Sequence, residues 1–295
     1  MKNKVLVVGM DGLRFDRLLA LRPPVLGRLL ATGVHGTGRL PYGEAAAPTT
    51  AAKGQVVPPT GRTITARTDS GPGWSSIATG VWPDKHGVAD NGFATADFTK
   101  YPDFLSRAAG HGLTTSALFS WAALEEHGAF GPAIATRVVL DGSALTFAVA
   151  DKQIAAAAER HLAEEDPDLC FVYFGDTDEV AHDLGPHCEE YTDALMAQDR
   201  YLDRLLSAIG SRPSFSGERW TVIVTTDHGH LDAGGHGGVT DEERTTFVIV
   251  GRMGEDLGGR ALGQARLVDV APTALAQVGV PVEAEWELDG EALPL

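Results

Sequence analysis

Short unbroken apolar runs, rich in β-branched residues and closed by polar or glycine-containing turns, constrain this chain more than any other feature. They cover residues 5–8, 115–119, 169–174, 221–225 and 246–250. A strand with one wet face alternates apolar and polar residues, whereas a strand covered on both faces is continuously apolar, as in mainly parallel sheets. Helical patterns separate the runs, over residues 104–109, 144–163 and 189–209. The last places Tyr191, Leu195, Tyr201, Leu202, Leu205 and Leu206 at helical spacings. Strands alternating with helices predict a three-layer α/β/α sandwich around a mainly parallel central sheet.

The pattern runs through the 295-residue chain without a dividing linker or an internal repeat, so a single domain over 1–295 is expected. Residues 41–67 interrupt it. They contain Ala45-Ala46-Ala47-Pro48-Thr49-Thr50-Ala51-Ala52 and Pro58-Pro59, and read as one long connecting loop. Loops of that length inside a compact domain are often functional.

A net charge of −16, with no Lys/Arg-rich block, argues against a nucleic-acid polymer as partner, since polyanions are bound through neutralising cationic side chains. Small anionic substrates remain open if metal ions supply local positive charge. Cys170 and Cys188 do not make a disulfide framework, and Cys170 lies in an apolar run that suits a buried reduced thiol. The run after Lys2 and Lys4 is too short for a signal peptide, and no stretch approaches the roughly 20 apolar residues of a membrane helix. A cytoplasmic protein without a membrane partner is expected.

Acids and histidines fall just past the apolar runs. Asp11 follows the first, Asp178 and His182 follow the run ending at Phe174, and Asp227 and His228 follow the run ending near Thr225. His236 comes later, within Gly234-Gly235-His236-Gly237-Gly238. Ligands of open α/β sheets gather outside the carboxyl ends of strands, so three strand ends would aim Asp and His at one edge. Singly, each signal has a plainer reading. An Asp after a strand is commonly a turn former or helix cap, and Asp178-x-x-x-His182 could be an exposed helical pair. Jointly they predict a metal site. Adjacent coordinating groups after a buried strand have little packing use, and glycines around His236 let its backbone pass close to a site. Mixed carboxylate and imidazole donors suit zinc first, then manganese or iron, better than calcium. Charge agrees: Asp11, Asp178 and Asp227 would repel one another alone, but with a serine alkoxide they would balance two divalent cations.

The segment Asp69-Ser70-Gly71-Pro72-Gly73-Trp74-Ser75-Ser76-Ile77-Ala78-Thr79-Gly80 follows the 41–67 loop, which makes that loop an active-site candidate, and opens a short helix. Ser70 could be no more than the helix N-cap. It could also be a nucleophile, because a helix N-terminus offers backbone N–H groups and positive dipole to an anion such as phosphate. With no Gly-x-Ser-x-Gly elbow present, metal coordination is the remaining way to activate a serine at neutral pH.

On these residues the chain resembles the alkaline phosphatase superfamily, and within it the type I phosphodiesterase/nucleotide pyrophosphatase branch. Val7-Val8-Gly9-Met10-Asp11-Gly12-Leu13-Arg14 is similar to the branch's opening strand and Asp-Gly. The branch continues with Thr-x-Pro-Asn, then Thr-Gly, Pro-x-x-His-Gly and Asp-Asn. Ser70-Gly71-Pro72-Gly73, Thr79-Gly80, Pro83-Asp84-Lys85-His86-Gly87 and Asp90-Asn91 stand in register with these. Asp178 and His182 match its Asp-x-x-x-His pair, Asp227-His228-Gly229 its Asp-His-Gly, and His236 its late metal histidine. The likeness extends to Asp269-Val270-Ala271-Pro272-Thr273.

The resemblance implies an alkaline-phosphatase-like fold and metal-dependent hydrolysis of a small phosphorylated substrate, monoester or diester, through a phosphoserine. It implies that Asp178, His182 and His236 hold one divalent ion. Asp11, Ser70, Asp227 and His228 would hold the other, with Ser70 as nucleophile and Asn91 bonding a phosphoryl oxygen. His86 and Asp90 would shape the loop, and Trp74 and His230 receive no role. Serine replaces the branch's threonine, and Gly73 replaces its first Asn. The stretch between His228 and His236 is short where nucleotide-cleaving members carry a long insertion, so a reduced substrate cap is expected. A sulfatase-type Cys/Ser-x-Pro-x-Arg motif is not completed, because Trp74 occupies the Arg position. The alternatives are a phosphonate hydrolase, a phosphotransferase or mutase of the same superfamily, and a non-catalytic metal-binding protein. Cofactor-independent mutases carry a large inserted domain for which this length leaves no room.

Overall fold

Every apolar run becomes a strand of one sheet, which has eight strands among the described residues. The computed structural model describes residues 1–43 and 62–295, so 44–61 of the expected 41–67 loop lie outside the described residues. The strands are β1 (Lys2–Met10), β2 (Val34–Arg39), β3 (Thr115–Phe119), β4 (Thr136–Val139), β5 (Leu169–Phe174), β6 (Glu218–Thr225), β7 (Thr245–Arg252) and β8 (Arg260–Ala261). Their order is β4-β3-β5-β1-β6-β7-β2-β8. Neighbours from β4 to β6 pair in parallel, as do β2 and β8, while β7 runs antiparallel to β6 and β2. The sheet is therefore mixed but mostly parallel. The connection of residues 226–244, which includes the short helix Asp241–Arg244, starts and ends at one edge of the sheet, so β7 reverses and no crossover to the opposite edge is needed.

Alternate residues of each central strand enter different cores, which explains why the runs are continuously apolar. Val5, Val7, Phe171 and Ile223 face one core, shared with the helices Ser70–Thr79, Phe104–Gly110 and Val270–Val278. Leu6, Val8, Val172 and Val224 face the other, shared with the helices Phe147–Glu164 and Glu189–Gly210. Cys170 and Cys188 are both free thiols, the first buried. Among the described residues no helix is long and apolar enough to cross a membrane.

Three central strands position the site. β1 lies between β5 and β6, parallel to both, with Met10 beside Phe174 and Gly9 beside Thr225. Their carboxyl ends thus finish side by side, at the edge where the acids and histidines follow.

Candidate active site

Each expected ligand leaves this edge from its own element. Asp11 is the residue after β1. Asp178 and His182 occupy the first and last turns of the helix Asp176–Leu184, which follows β5 after one residue, so the i, i+4 spacing places both on one helix face. Asp227, His228 and His230 follow β6, and the glycine-rich turn returns His236 to the same place. Gly237, at φ 111°, permits that return: a Cβ there would fall 2.5 Å from Arg67 Nη2. Ser70 is the first residue of its helix, but the cap position belongs to Asp69. The serine hydroxyl instead faces the cluster, with Oγ 3.3 Å from His228 Nε2.

The groups divide around His228. Its Nε2 lies 3.4 Å from Asp11 Oδ1 and 3.3 Å from Asp227 Oδ2. One donor atom from each of Asp11, Asp227 and His228 falls within 4.8 Å of the others, and so does one from each of Asp178, His228, His230 and His236. Asp178 Oδ1 is 2.8 Å from His230 Nε2, 3.7 Å from His236 Nε2 and 3.8 Å from His228 Nε2. His182 stands at the exposed rim, its Nε2 3.2 Å from Asp178 Oδ2 and 3.1 Å from His236 Nε2. Asp11, Ser70, Asp178, His182, Asp227, His228 and His236 thus meet in one place. Asn91 stands beside them: its Oδ1 accepts the Gly71 backbone N–H at 2.7 Å, on the helix that begins at Ser70.

Three residues at this site carry no sequence signal that separates them from packing residues. Trp74 Nε1–H and the Tyr173 hydroxyl both donate to Asp11 Oδ2, at 2.8 and 2.5 Å. His230, two residues beyond His228, is fully buried against Asp178. His86 bridges Ser76 of the helix Ser70–Thr79 and the Val88 backbone.

The electrostatics are those of clustered acids in a dry site. Burial, and then the charge of Asp178, lifts the Asp11 carboxyl to about 7. Burial and the neighbouring Asp11 raise Asp227 well above the carboxylate range. Burial would raise Asp178 too, but hydrogen bonds from His182 and His230 hold it well below that range. Burial, then His236, keeps His228 neutral.

The donor set fits divalent cations. Asp11 Oδ1 and Asp227 Oδ2 are buried and have no hydrogen-bond partner among the described residues. His228 Nδ1 lies 3.1 Å from the Gly229 carbonyl and His236 Nδ1 2.7 Å from the Thr68 carbonyl. A carbonyl can only accept, so each Nδ1 carries the proton and each Nε2 offers a lone pair toward the carboxylates. Unpaired carboxylate oxygens opposite bare imidazole nitrogens are the donors that zinc, manganese or iron takes.

The model of the type I phosphodiesterase/nucleotide pyrophosphatase family matches residues 5–243, from β1 past His236. The chain belongs to this family, and so to the alkaline phosphatase superfamily. A 2,3-bisphosphoglycerate-independent phosphoglycerate mutase of Natronomonas pharaonis is 30% identical over 150 residues, which are 50% of this chain and 28% of the mutase. Among solved structures, the murine ectonucleotide pyrophosphatase/phosphodiesterase 5 superposes with a TM-score of 0.64 at 13% identity, covering 95% of this chain and 96% of that one. The phosphonate monoester hydrolase of Agrobacterium radiobacter gives a TM-score of 0.64 at 16% identity, covering 99% and 76%. At these identities the two structures establish a shared fold.

Proposed function

We propose that this family member hydrolyses phosphate esters through a covalent phosphoserine at Ser70. The observation that carries the reading is the serine hydroxyl placed 3.3 Å from His228 Nε2, at the mouth of the carboxylate and imidazole cluster. Asp11, Ser70, Asp227 and His228 would hold one divalent cation and Asp178, His182 and His236 a second, zinc by donor type with manganese or iron as substitutes. When bound, such cations supply the Lewis acidity that activates a serine hydroxyl and the positive charge that offsets phosphoryl oxygens. Magnitude favours this over acid–base chemistry alone. Phosphate-monoester hydrolysis calls for up to ~10²¹-fold acceleration, and one general acid or base gives about 10²–10⁴.

The chain's own residues divide the remaining work. Ser70 Oγ forms the bond to phosphorus as the ester oxygen departs in line, and water then cleaves the phosphoserine. The helix beginning at Ser70 presents its positive end to the phosphoryl group. Gly71 N–H fixes the Asn91 amide oxygen, which leaves the Asn91 NH₂ as the end that donates to a phosphoryl oxygen. With helices against both cores, we read the architecture as the three-layer form of the superfamily. The short return from His228 to His236 fits a small cap and a small substrate.

Phosphoryl transfer to an alcohol instead of water is the second reading, favoured by the match to the mutase. A panel of nitrophenyl phosphate, its bis ester and a nitrophenyl phosphonate, run on metal-analysed protein, tests the assignment. Ser70→Ala should retain metal and lose turnover. Turnover that survives in this variant refutes the covalent route, and a metal-loaded native chain inert toward all three esters refutes the function.

A further inference from the structure

We propose that His230 is a positioning residue whose Nε2–H engages Asp178 Oδ1, so that this carboxylate meets its cation through Oδ2. The inference rests on the two-cation reading above and concerns an imidazole to which the sequence resemblance assigns nothing.

His230 is fully buried, with Nε2 2.8 Å from Asp178 Oδ1. From that position it could bind a cation itself or donate to Asp178. Nδ1 decides between them. An imidazole that offers Nε2 to a cation keeps its proton on Nδ1, and in His228 and His236 that nitrogen faces a backbone carbonyl. His230 Nδ1 is buried with no hydrogen-bond partner among the described residues. A proton there would be a buried donor without an acceptor, at a cost of about 1–3 kcal/mol. The proton therefore sits on Nε2, where Asp178 Oδ1 accepts it.

The contact is built into the backbone around it. Gly12, at φ 60°, lies directly against the pair: a Cβ there would fall 2.5 Å from His230 Nε2 and 2.8 Å from Asp178 Oδ1. The His230 carbonyl accepts from Arg14 Nη1 at 3.0 Å, and Arg14 is in turn held by Asp16 and Asp232. The turn after β1 thus fixes His230 from below. With Oδ1 engaged, Oδ2 is the oxygen left over, and it faces His182, a proposed ligand of the second cation, at 3.2 Å.

Full-length native chain, His230→Leu and His230→Gln are stripped with chelator, reloaded with Zn(II), counted by elemental analysis and titrated against a chromophoric chelator. The leucine variant should bind one of two ions about 10–100-fold more weakly, the usual effect of losing an outer partner of a metal ligand. The glutamine variant, whose amide N–H can replace Nε2–H, should stay within a few-fold of native. Native affinity for both ions in the leucine variant overturns the proposal. So does a glutamine variant that loses an ion, because a direct ligand would not be rescued by an amide. If the leucine variant does not fold, the glutamine result alone decides on the same terms. A native chain that takes up no zinc fails differently, since it removes the two-cation site itself.

Discussion

Gly73 and Asp227 touch: a Cβ built on Gly73 would fall 2.7 Å from Asp227 Cβ and 3.0 Å from the Asp227 carbonyl. The helix that begins at Ser70 therefore approaches the end of β6 more closely than any residue with a side chain permits. This gives a physical reason for glycine where the phosphodiesterase branch carries Asn. Gly73→Ala should push the helix, and Ser70 with it, away from the cluster. The expected cost is about 1–3 kcal/mol, as for other overpacked sites, with turnover falling at least tenfold. Urea denaturation and ester hydrolysis on the same preparation check both, and a variant unchanged in either measure shows that the helix can yield.

Trp74 makes the complementary prediction. It is fully buried, it holds Asp11 Oδ2 through its indole N–H, and a Cβ on Gly9 would fall 2.3 Å from its Cη2. Trp74→Phe keeps most of the ring volume and removes one of the two donors to Asp11, leaving the Tyr173 hydroxyl. A lost hydrogen bond to a charged group costs about 1.5–3 kcal/mol. Because Asp11 is a proposed ligand, zinc affinity should also fall by about 10–100-fold. Chelator competition reads the affinity, and an undiminished value would reduce the indole to packing.

The strands that were legible are the ones buried on both faces. Residues 115–119 and 169–174 coincide with β3 and β5 because every residue of both strands is buried, so that even the polar Thr115 and Ser116 are small and Ser116 is paired with His161. β2 was not legible: in Val34–Arg39 the apolar run is broken by Gly36 and Gly38, and a Cβ on Gly38 would fall 2.5 Å from the Ala265 carbonyl. Those glycines serve a neighbouring segment that lies far away in sequence. β4, at the sheet edge, is only partly buried, and β8 spans two exposed residues. At the site, Asp11, Asp178, His182, Asp227 and His228 stood out because they come just past buried strands, and His236 because glycines flank it on both sides. His230, Trp74 and Tyr173 did not, since a partner of a ligand is recognisable only once folding brings Asp178 or Asp11 against it.

Removal of the proposed cations should expose the repulsion that they would offset. Asp11 and Asp227 are completely buried acids beside Asp178, and both are held above the ordinary carboxylate range. Scanning calorimetry after chelation and dialysis should show a lower melting temperature, restored by zinc. At a free concentration 1,000 times its dissociation constant, a single ion stabilises by about 4 kcal/mol. A melting temperature indifferent to chelation would remove the cation site, and with it the activation of Ser70.

His86 gives the chain a pH dependence that does not involve the proposed ligands. Its Nδ1 accepts the Val88 backbone N–H at 3.1 Å, so that nitrogen carries no proton. Its Nε2 lies 3.1 Å from Ser76 Oγ, and the Ser76 hydroxyl donates to the Pro72 carbonyl at 2.7 Å, so Nε2–H is the donor of the pair. The neutral ring is satisfied at both ends and fully buried, and burial lowers its pKa to about 3 despite the opposing charge of Asp289. In the unfolded chain a histidine titrates near 6.5. Between those values the unfolded chain binds a proton that the folded chain refuses. The contribution of His86 to stability is therefore complete above about pH 6.5 and declines as pH falls toward 3, by at most about 1.4 kcal/mol per unit. His86→Asn keeps an acceptor near Val88 and has no proton to gain. Its stability should decline less than that of the native chain between pH 7 and pH 5, by about 2 kcal/mol, in urea titrations of both proteins. Parallel curves would mean that His86 takes up its proton inside the fold, and the neutral bridge from the helix Ser70–Thr79 to Val88 would be wrong.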